Sequence, residues 1–330
     1  MKHFLLVILA ALWLTAASEA SHAAASDAQN AKREVHALKI TVLVTNLAGD
    51  ARAGDGEWGY SALVEADGRK ILYDTGGSAD MVLRNARALH VDLSDVEDVV
   101  LSHNHWDHVS GLMALRREFA KTNSMAFSRV HVASRVFEPR LDATGKDQNG
   151  LRDIRAEYLA TGGAFIIHDK SAELLPGVWL SGPVPRPNPE KNWSPGLSLA
   201  SAKGLVEDNV PEDSALVVNT HEGTVILTGC GHAGIVNIVE YAGTIVGDHV
   251  VLAVIGGVHL FAGSDQIVQW TGARLKDLGI KNLLAGHCTG IEATYILRRT
   301  TNLDRKTAVV SAVGSSFTLG RGIAAGALAR

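Results

Sequence analysis

Apolar residues along this chain fall into short runs separated by glycine, proline and aspartate, a rhythm that predicts many strands with brief helices between them. Residues 38–45 read Leu-Lys-Ile-Thr-Val-Leu-Val-Thr and predict a strand, followed by a glycine-rich loop over residues 49–59. Residues 61–65 and 70–73 predict two strands joined at Asp67-Gly68, a hairpin turn pair. Ser78 is placed to cap a helix running to about Leu89, with Met81, Val82, Asn85 and Leu89 near a helical period. Residues 96–101 predict a buried strand that runs directly into a histidine cluster. A helix carrying Leu112, Leu115 and Phe119 comes next.

The pattern occurs twice. Ser61-Ala62-Leu63-Val64, a turn at Gly68 and Ile71-Leu72-Tyr73-Asp74-Thr75-Gly76 have a counterpart in Ser214-Ala215-Leu216-Val217, a turn at Gly223 and Ile226-Leu227-Thr228-Gly229-Cys230-Gly231. A second pair is residues 99–101 ahead of His103 and residues 251–254 ahead of His259. This is an internal pseudo-repeat, and it predicts two β-rich halves, each flanked by helices, packed face to face. Between them, residues 182–195 carry too many prolines for an interior strand or helix. That stretch and the polar residues 139–150 are binding loops or solvated excursions.

The N-terminus changes the picture of where the protein works. Lys2 precedes an apolar run at residues 4–17 and the small-residue stretch Ala20-Ser21-His22-Ala23-Ala24, the pattern of a secretory signal peptide over residues 1–23. The run is too short to span a bilayer comfortably, and no later stretch reaches the length required. The expected mature protein is exported, to the periplasm, with no membrane span after cleavage. Residues 24–37 are expected to be a linker and residues 38–330 one domain. A net charge of −4 and the absence of a basic run exclude nucleic acid as the main partner. A small-molecule substrate is expected instead, and the sequence is silent on oligomeric state. The two cysteines, Cys230 and Cys288, say little by number alone.

The chemistry concentrates in Ser102-His103-Asn104-His105-Trp106-Asp107-His108. Three imidazoles and a carboxylate within six positions suit a borderline cation such as zinc. His103 and His105, two apart in an extended turn, can point to one side, while Asp107 and His108 on a first helical turn diverge toward a second point. One cluster can thus serve two divalent ions, zinc first, with iron or manganese as alternatives. Downstream, His232 follows the Gly229-Cys230-Gly231 turn and His287 stands in Gly286-His287-Cys288-Thr289-Gly290; both are strand-end candidates for further ligands. His259 in Gly256-Gly257-Val258-His259 reads equally as a ligand, a hydrogen bonder to substrate or a structural histidine. The remaining histidines are scattered and receive no role.

At these residues the sequence resembles the metallo-β-lactamase superfamily, whose signature is His-x-His-x-Asp-His after a buried strand. Within it the chain resembles the branch of dihydropterin-ribosyl-aminobenzene phosphate synthase. The shared motifs are Leu-x-Asp-Thr-Gly at residues 72–76, Leu-Ser-His-x-His-x-Asp-His at 101–108, Thr-Gly-Cys-x-His-x-Gly at 228–234, Gly-Gly-x-His-Leu at 256–260 and His-Cys-Thr-Gly at 287–290. The resemblance covers residues 38–320 and implies a four-layer αββα sandwich. It implies metal ligation by His103, His105, Asp107, His108, His232 and His287, and a role for Asp74 in holding a ligand or loop in place. Two positions depart from the pattern. Glu57-Trp58-Gly59 stands where the branch has Glu-His-Gly. The superfamily's bridging aspartate is not recognisable, and Cys230 occupies the strand end where it is expected.

Two metals about 3.5–4 Å apart lower the pKa of a shared water, so that hydroxide is available at neutral pH. Asp107 is then both ligand and hydrogen-bond acceptor for that water, and the expected activity is hydrolysis of a phosphoester, lactone or lactam. The alternatives on the same cluster are an iron-dependent oxidoreductase and a ligand-binding protein. The branch's own reaction builds an archaeal cofactor from cytosolic precursors, which an exported protein does not meet.

Overall fold

A computed structural model of the chain describes residues 33–50, 52–193, 195–247 and 250–326. The expected signal peptide and most of the expected linker lie outside the described residues. Val35, from the rest of that linker, is fully buried; its N–H donates to the Asn219 carbonyl and it bridges to Thr220.

The first half runs β1 (Leu38–Val44), β2 (Ser61–Ala66), β3 (Arg69–Tyr73), α1 (Met81–Ala88), β4 (Asp98–Leu101), α2 (Trp106–Val109), α3 (Leu112–Phe119), β5 (Arg129–Ala133), α4 (Gly150–Ala160) and β6 (Ala164–His168). The second half begins with β7 (Ala172–Leu175), β8 (Val178–Leu180), β9 (Ser198–Ser201), β10 (Gly204–Glu207), β11 (Ala215–Thr220) and β12 (Gly223–Thr228). It continues with α5 (Ile235–Val246), β13 (Val251–Gly256), α6 (Asp265–Asp277), β14 (Leu283–Ala285), α7 (Ile291–Thr300), β15 (Ala308–Val310), β16 (Ser316–Thr318) and β17 (Gly322–Ala324).

The repeat seen in the sequence is the repeat of the topology. The antiparallel hairpin β2–β3 leads into parallel β4, β5 and β6, and the antiparallel hairpin β11–β12 leads into parallel β13, β14 and β15. These form an eight-stranded sheet in the order β17-β16-β1-β2-β3-β4-β5-β6 and a seven-stranded sheet in the order β15-β14-β13-β12-β11-β8-β7.

Strand alternation then sets the layers. In β11, Leu216 and Val218 point into a core shared with Ile40, Val64 and Ile71 of the other sheet. Their neighbours Ala215 and Val217 pack with Ile238, Val268 and Leu297 of the helices behind. Leu63, Leu72 and Val99 likewise turn outward onto Val82, Leu112 and Leu115. Strands buried on both faces read as near-continuous apolar runs, which is why these segments lack strict alternation. The result is helices, sheet, sheet, helices, the four-layer sandwich expected.

Two local expectations are corrected. Ser78 does not cap α1: the N-cap position falls two residues later, at Asp80, which gives no side-chain cap, and Ser78 accepts the Met81 N–H through its backbone carbonyl. The strand expected from Val96 begins at Asp98, since the Val96 N–H instead closes a turn on the Leu93 carbonyl.

Candidate metal centre

Parallel strands end on one rim, and that rim carries the chemistry, as is general for open α/β sheets. Asp74 follows β3, the histidine cluster follows β4, Cys230 and His232 follow β12, His259 follows β13, and His287 follows β14. Asp74, His259 and His287 hold φ of 55°, 45° and 48°, a left-handed backbone that is uncommon for residues other than glycine. The left-handed backbone turns each side chain back toward the rim. Gly229 has no room for a Cβ, which would overlap Ser102 Oγ and Asp74 Oδ2.

His103, His105 and His232 gather as one group, with ring centroids 4.4 Å (103–105), 4.7 Å (103–232) and 4.9 Å (105–232) apart. Nδ1 of His103 lies 2.8 Å from Ser102 Oγ, whose hydroxyl donates to Asp74 Oδ2 at 2.7 Å. Ser102 therefore accepts from His103. Nδ1 of His232 donates to the Asn192 carbonyl at 2.6 Å. Each ring keeps its proton on Nδ1 and presents an Nε2 lone pair inward. Both Nε2 atoms are buried without a hydrogen-bond partner among the described residues. Burial and the surrounding imidazoles push His103 and His232 well below the ordinary histidine range, and burial brings His105 down to about 4 against the pull of Asp107.

Asp107, His108 and His287 form the second group. Asp107 Oδ2 lies 3.6 Å from His108 Nε2 and 3.2 Å from His287 Nε2. Nδ1 of His108 donates to Asp74 Oδ2 at 2.7 Å, and Nδ1 of His287 lies 3.2 Å from Asn46 Oδ1. The His287 backbone is pinned as well, its N–H on Thr45 Oγ1 and its carbonyl on Asn46 Nδ2. Burial would raise the Asp107 carboxyl, but His108 and His287 outweigh it and hold it far below the usual carboxylate range. Burial works against a charge on His108, yet Asp107 and Asp74 lift it to about 9.

Cys230 and Cys288 are both free and buried. Cys230 Sγ stands 3.2 Å from His108 Nε2, while Cys288 Sγ lies 3.7 Å from the Cys230 carbonyl. His259 packs its ring 4.5 Å from His232 and 5.2 Å from Phe261, at the edge of the first group.

All the candidate residues read from the sequence thus meet at one place. Several supports were not read from it: Ser102, Asn46, Asn192 and Asp213, whose Oδ2 accepts the Ala233 N–H and so fixes the His232 turn. Asn192 and Glu190 belong to the proline-rich loop. Glu190 accepts the Val236 and Asn237 N–H groups at the start of α5, filling orphan donors of that helix. The loop is therefore tied into the site, and no local signal announced it. Trp58, where the branch has histidine, packs 4.8 Å from His287 and 5.5 Å from Phe261; with Trp106 these form an exposed aromatic rim.

Comparison with known proteins points the same way. Residues 56–126 match the model of the metallo-beta-lactamase superfamily. The chain is 31% identical over 268 residues to a Methanocaldococcus jannaschii protein named 7,8-dihydropterin-6-methyl-4-(beta-D-ribofuranosyl)-aminobenzene-5'-phosphate synthase, covering 79% of this chain and 90% of that one. A solved structure described as a metal-dependent hydrolase of the beta-lactamase superfamily is 27% identical, with a TM-score of 0.66 over 84% of this chain and 98% of its own. The metallo-beta-lactamase fold protein YhfI from Bacillus subtilis shares the fold at 16% identity and a TM-score of 0.53, covering 86% of this chain and 99% of its own.

Proposed function

We propose, from the premise that the chain belongs to the metallo-β-lactamase superfamily, that it is a hydrolase of small-molecule esters or amides that works with two divalent metal ions, zinc in the first place. The observation that carries this reading is the arrangement of imidazoles. His103, His108, His232 and His287 are each engaged through Nδ1, so that four Nε2 atoms face a common interior. Those of His103, His232 and His287 are buried with no hydrogen-bond partner among the described residues, and buried, unpartnered lone pairs are costly unless something positive fills the space between them. Neutral imidazole and carboxylate are the donors that zinc takes.

His103, His105 and His232 would hold one ion, and Asp107, His108 and His287 the other. Bound there, the pair supplies Lewis acidity and a water made acidic enough to attack at neutral pH. The chain's own groups do the rest. Asp107, with one oxygen facing both His108 and His287, accepts a hydrogen bond from the attacking water and fixes its direction. Asp74 and Ser102 hold the imidazole rings of both groups at once. Trp58, Phe261 and Trp106 offer a flat apolar rim against which a ring-bearing substrate can lie.

The substrate class we propose is a phosphoester, lactone or lactam. The fold is shared with the archaeal synthase, but its named reaction is not carried over, because we also propose that this chain is exported. A panel of phosphomonoesters, phosphodiesters, lactones and β-lactams tests the reading. Turnover that is abolished by a chelator and restored by zinc is expected. Absence of turnover on every substrate at full metal occupancy would sink it, as would stoichiometric iron with its own absorbance band in protein purified without added metal.

A further inference from the structure

Three groups of metal-ligating side chains converge among the described residues, with ligand atoms within 4.8 Å of one another in each: Asp107, His108, Cys230 and His287; His103, Cys230 and His232; and Cys230, His259 and Cys288. Cys230 is the member common to all three. Its Sγ is 3.2 Å from His108 Nε2, so it faces the interior where the imidazoles meet. Cys288 joins only the third group and neither of the two that contain the histidine cluster, and its sulfur turns to the Cys230 carbonyl.

We propose that Cys230 is a thiolate donor shared by the two metal positions, and that Cys288 stays outside them. The proposal rests on the two-metal reading above and deepens it by assigning the one donor that joins both ions. Charge favours it. The first group, three imidazoles, is neutral as a ligand set, and the second contributes a single carboxylate. Two divalent cations held only by these would repel each other across a buried space with little screening. A thiolate between them adds negative charge at the point of strongest repulsion, and sulfur is a good zinc ligand.

The turn is built for it. Gly229 closes on Ser102 and Asp74 with no space for a side chain, and Gly231 adopts φ of 65°, so Cys230 is held between two residues whose backbone is fixed. On loading, the Cys230 S–H bond breaks, its proton passes to solvent and sulfur bonds to metal; no electron transfer is involved.

Cobalt(II) titration of the full chain tests this, with the metal itself as probe. Thiolate bound to cobalt gives a near-ultraviolet charge-transfer band that imidazole and carboxylate do not. The expected band grows with both the first and the second equivalent, about twofold from one to two. It disappears in Cys230→Ser and persists in Cys288→Ser. Should Cys230→Ser fold poorly, protection of one thiol from a thiol reagent by two equivalents of metal in wild-type protein reads the same contact. A band that saturates at one equivalent, that survives Cys230→Ser, or that is missing with two cobalt ions bound would overturn the proposal. Cobalt binding with this band but no hydrolysis of any substrate would refute the hydrolase reading and leave the shared thiolate standing. Failure to bind cobalt would remove both.

Discussion

Nδ1 of His108 and the hydroxyl of Ser102 both donate to the same oxygen of Asp74, each at 2.7 Å. Ser102 in turn accepts from His103, so one buried carboxylate sets the tautomer of a histidine in each metal group. Asp74→Asn keeps a side chain that tolerates the left-handed backbone, but it cannot accept at both oxygens. We expect a loss of about 10–100-fold in metal affinity, read by competition with a chromophoric chelator, with far-ultraviolet circular dichroism unchanged. Wild-type affinity in this variant would mean that the rings are oriented by packing alone.

Gly229 closes the same network from the opposite half of the molecule. A methyl group there would overlap Ser102 Oγ and Asp74 Oδ2. Gly229→Ala is therefore expected to cost about 1–3 kcal/mol of stability and to weaken metal binding together with it, seen as a lower melting temperature and a lower chelator-competition constant. If the melting temperature is unaltered, the close approach of the two halves is looser than described.

How much of this was legible in the sequence follows from distance along the chain. The hairpins at Asp67-Gly68 and Gly223, the strand into His103 and the helix after it depend on neighbours within a few residues, and the sequence shows them plainly. The αββα layering could be read because the hairpin pattern occurs twice. The support for His287 could not: Asn46 stands 241 positions away. Nor could the Asn192 carbonyl behind His232, since a backbone acceptor carries no residue signature. Helix α4 was missed because only Leu151 and Tyr158 of its residues are buried, too few to mark an apolar stripe. The β9–β10 hairpin was missed because β10 is exposed throughout, leaving no alternation to read.

Acid stability has a source away from the candidate metal centre. Asp98 takes two bonds of 2.7 Å from the Arg129 guanidinium and lies 3.0 Å from His131 Nε2. Burial alone would raise its pKa, but His131 and Arg129 outweigh it and hold it at about 2. Because the folded value lies below the unfolded one, the ionised carboxylate stabilises the fold fully above about pH 4 and loses that contribution as pH falls toward 2. The difference is of order 2 kcal/mol. Denaturant unfolding at a series of pH values should show Asp98→Asn less stable than wild type near neutrality, with the gap closing below pH 4. A gap that stays constant down to pH 2 would assign the loss to packing rather than charge.

Asp107 is the residue on which the proposed chemistry turns. Its carboxylate is buried, with Oδ2 between His108 Nε2 and His287 Nε2, in the first turn of the four-residue α2. Replacing it by alanine removes the only carboxylate of the two candidate ligand groups and leaves His103, His105 and His232 as they are. We therefore expect Asp107→Ala to bind about one metal per chain where wild type binds about two, and to lose turnover by about 10²–10⁴-fold. Elemental analysis of the dialysed protein gives the first quantity, and the best substrate of the panel gives the second. The fold should survive, because the side chain contributes no bond to either sheet; a melting temperature within a few degrees of wild type checks that. The two readouts must fall together. Two metals bound with turnover lost would keep Asp107 as the acceptor that directs water but not as a ligand, and wild-type turnover would show that the attacking water is held elsewhere.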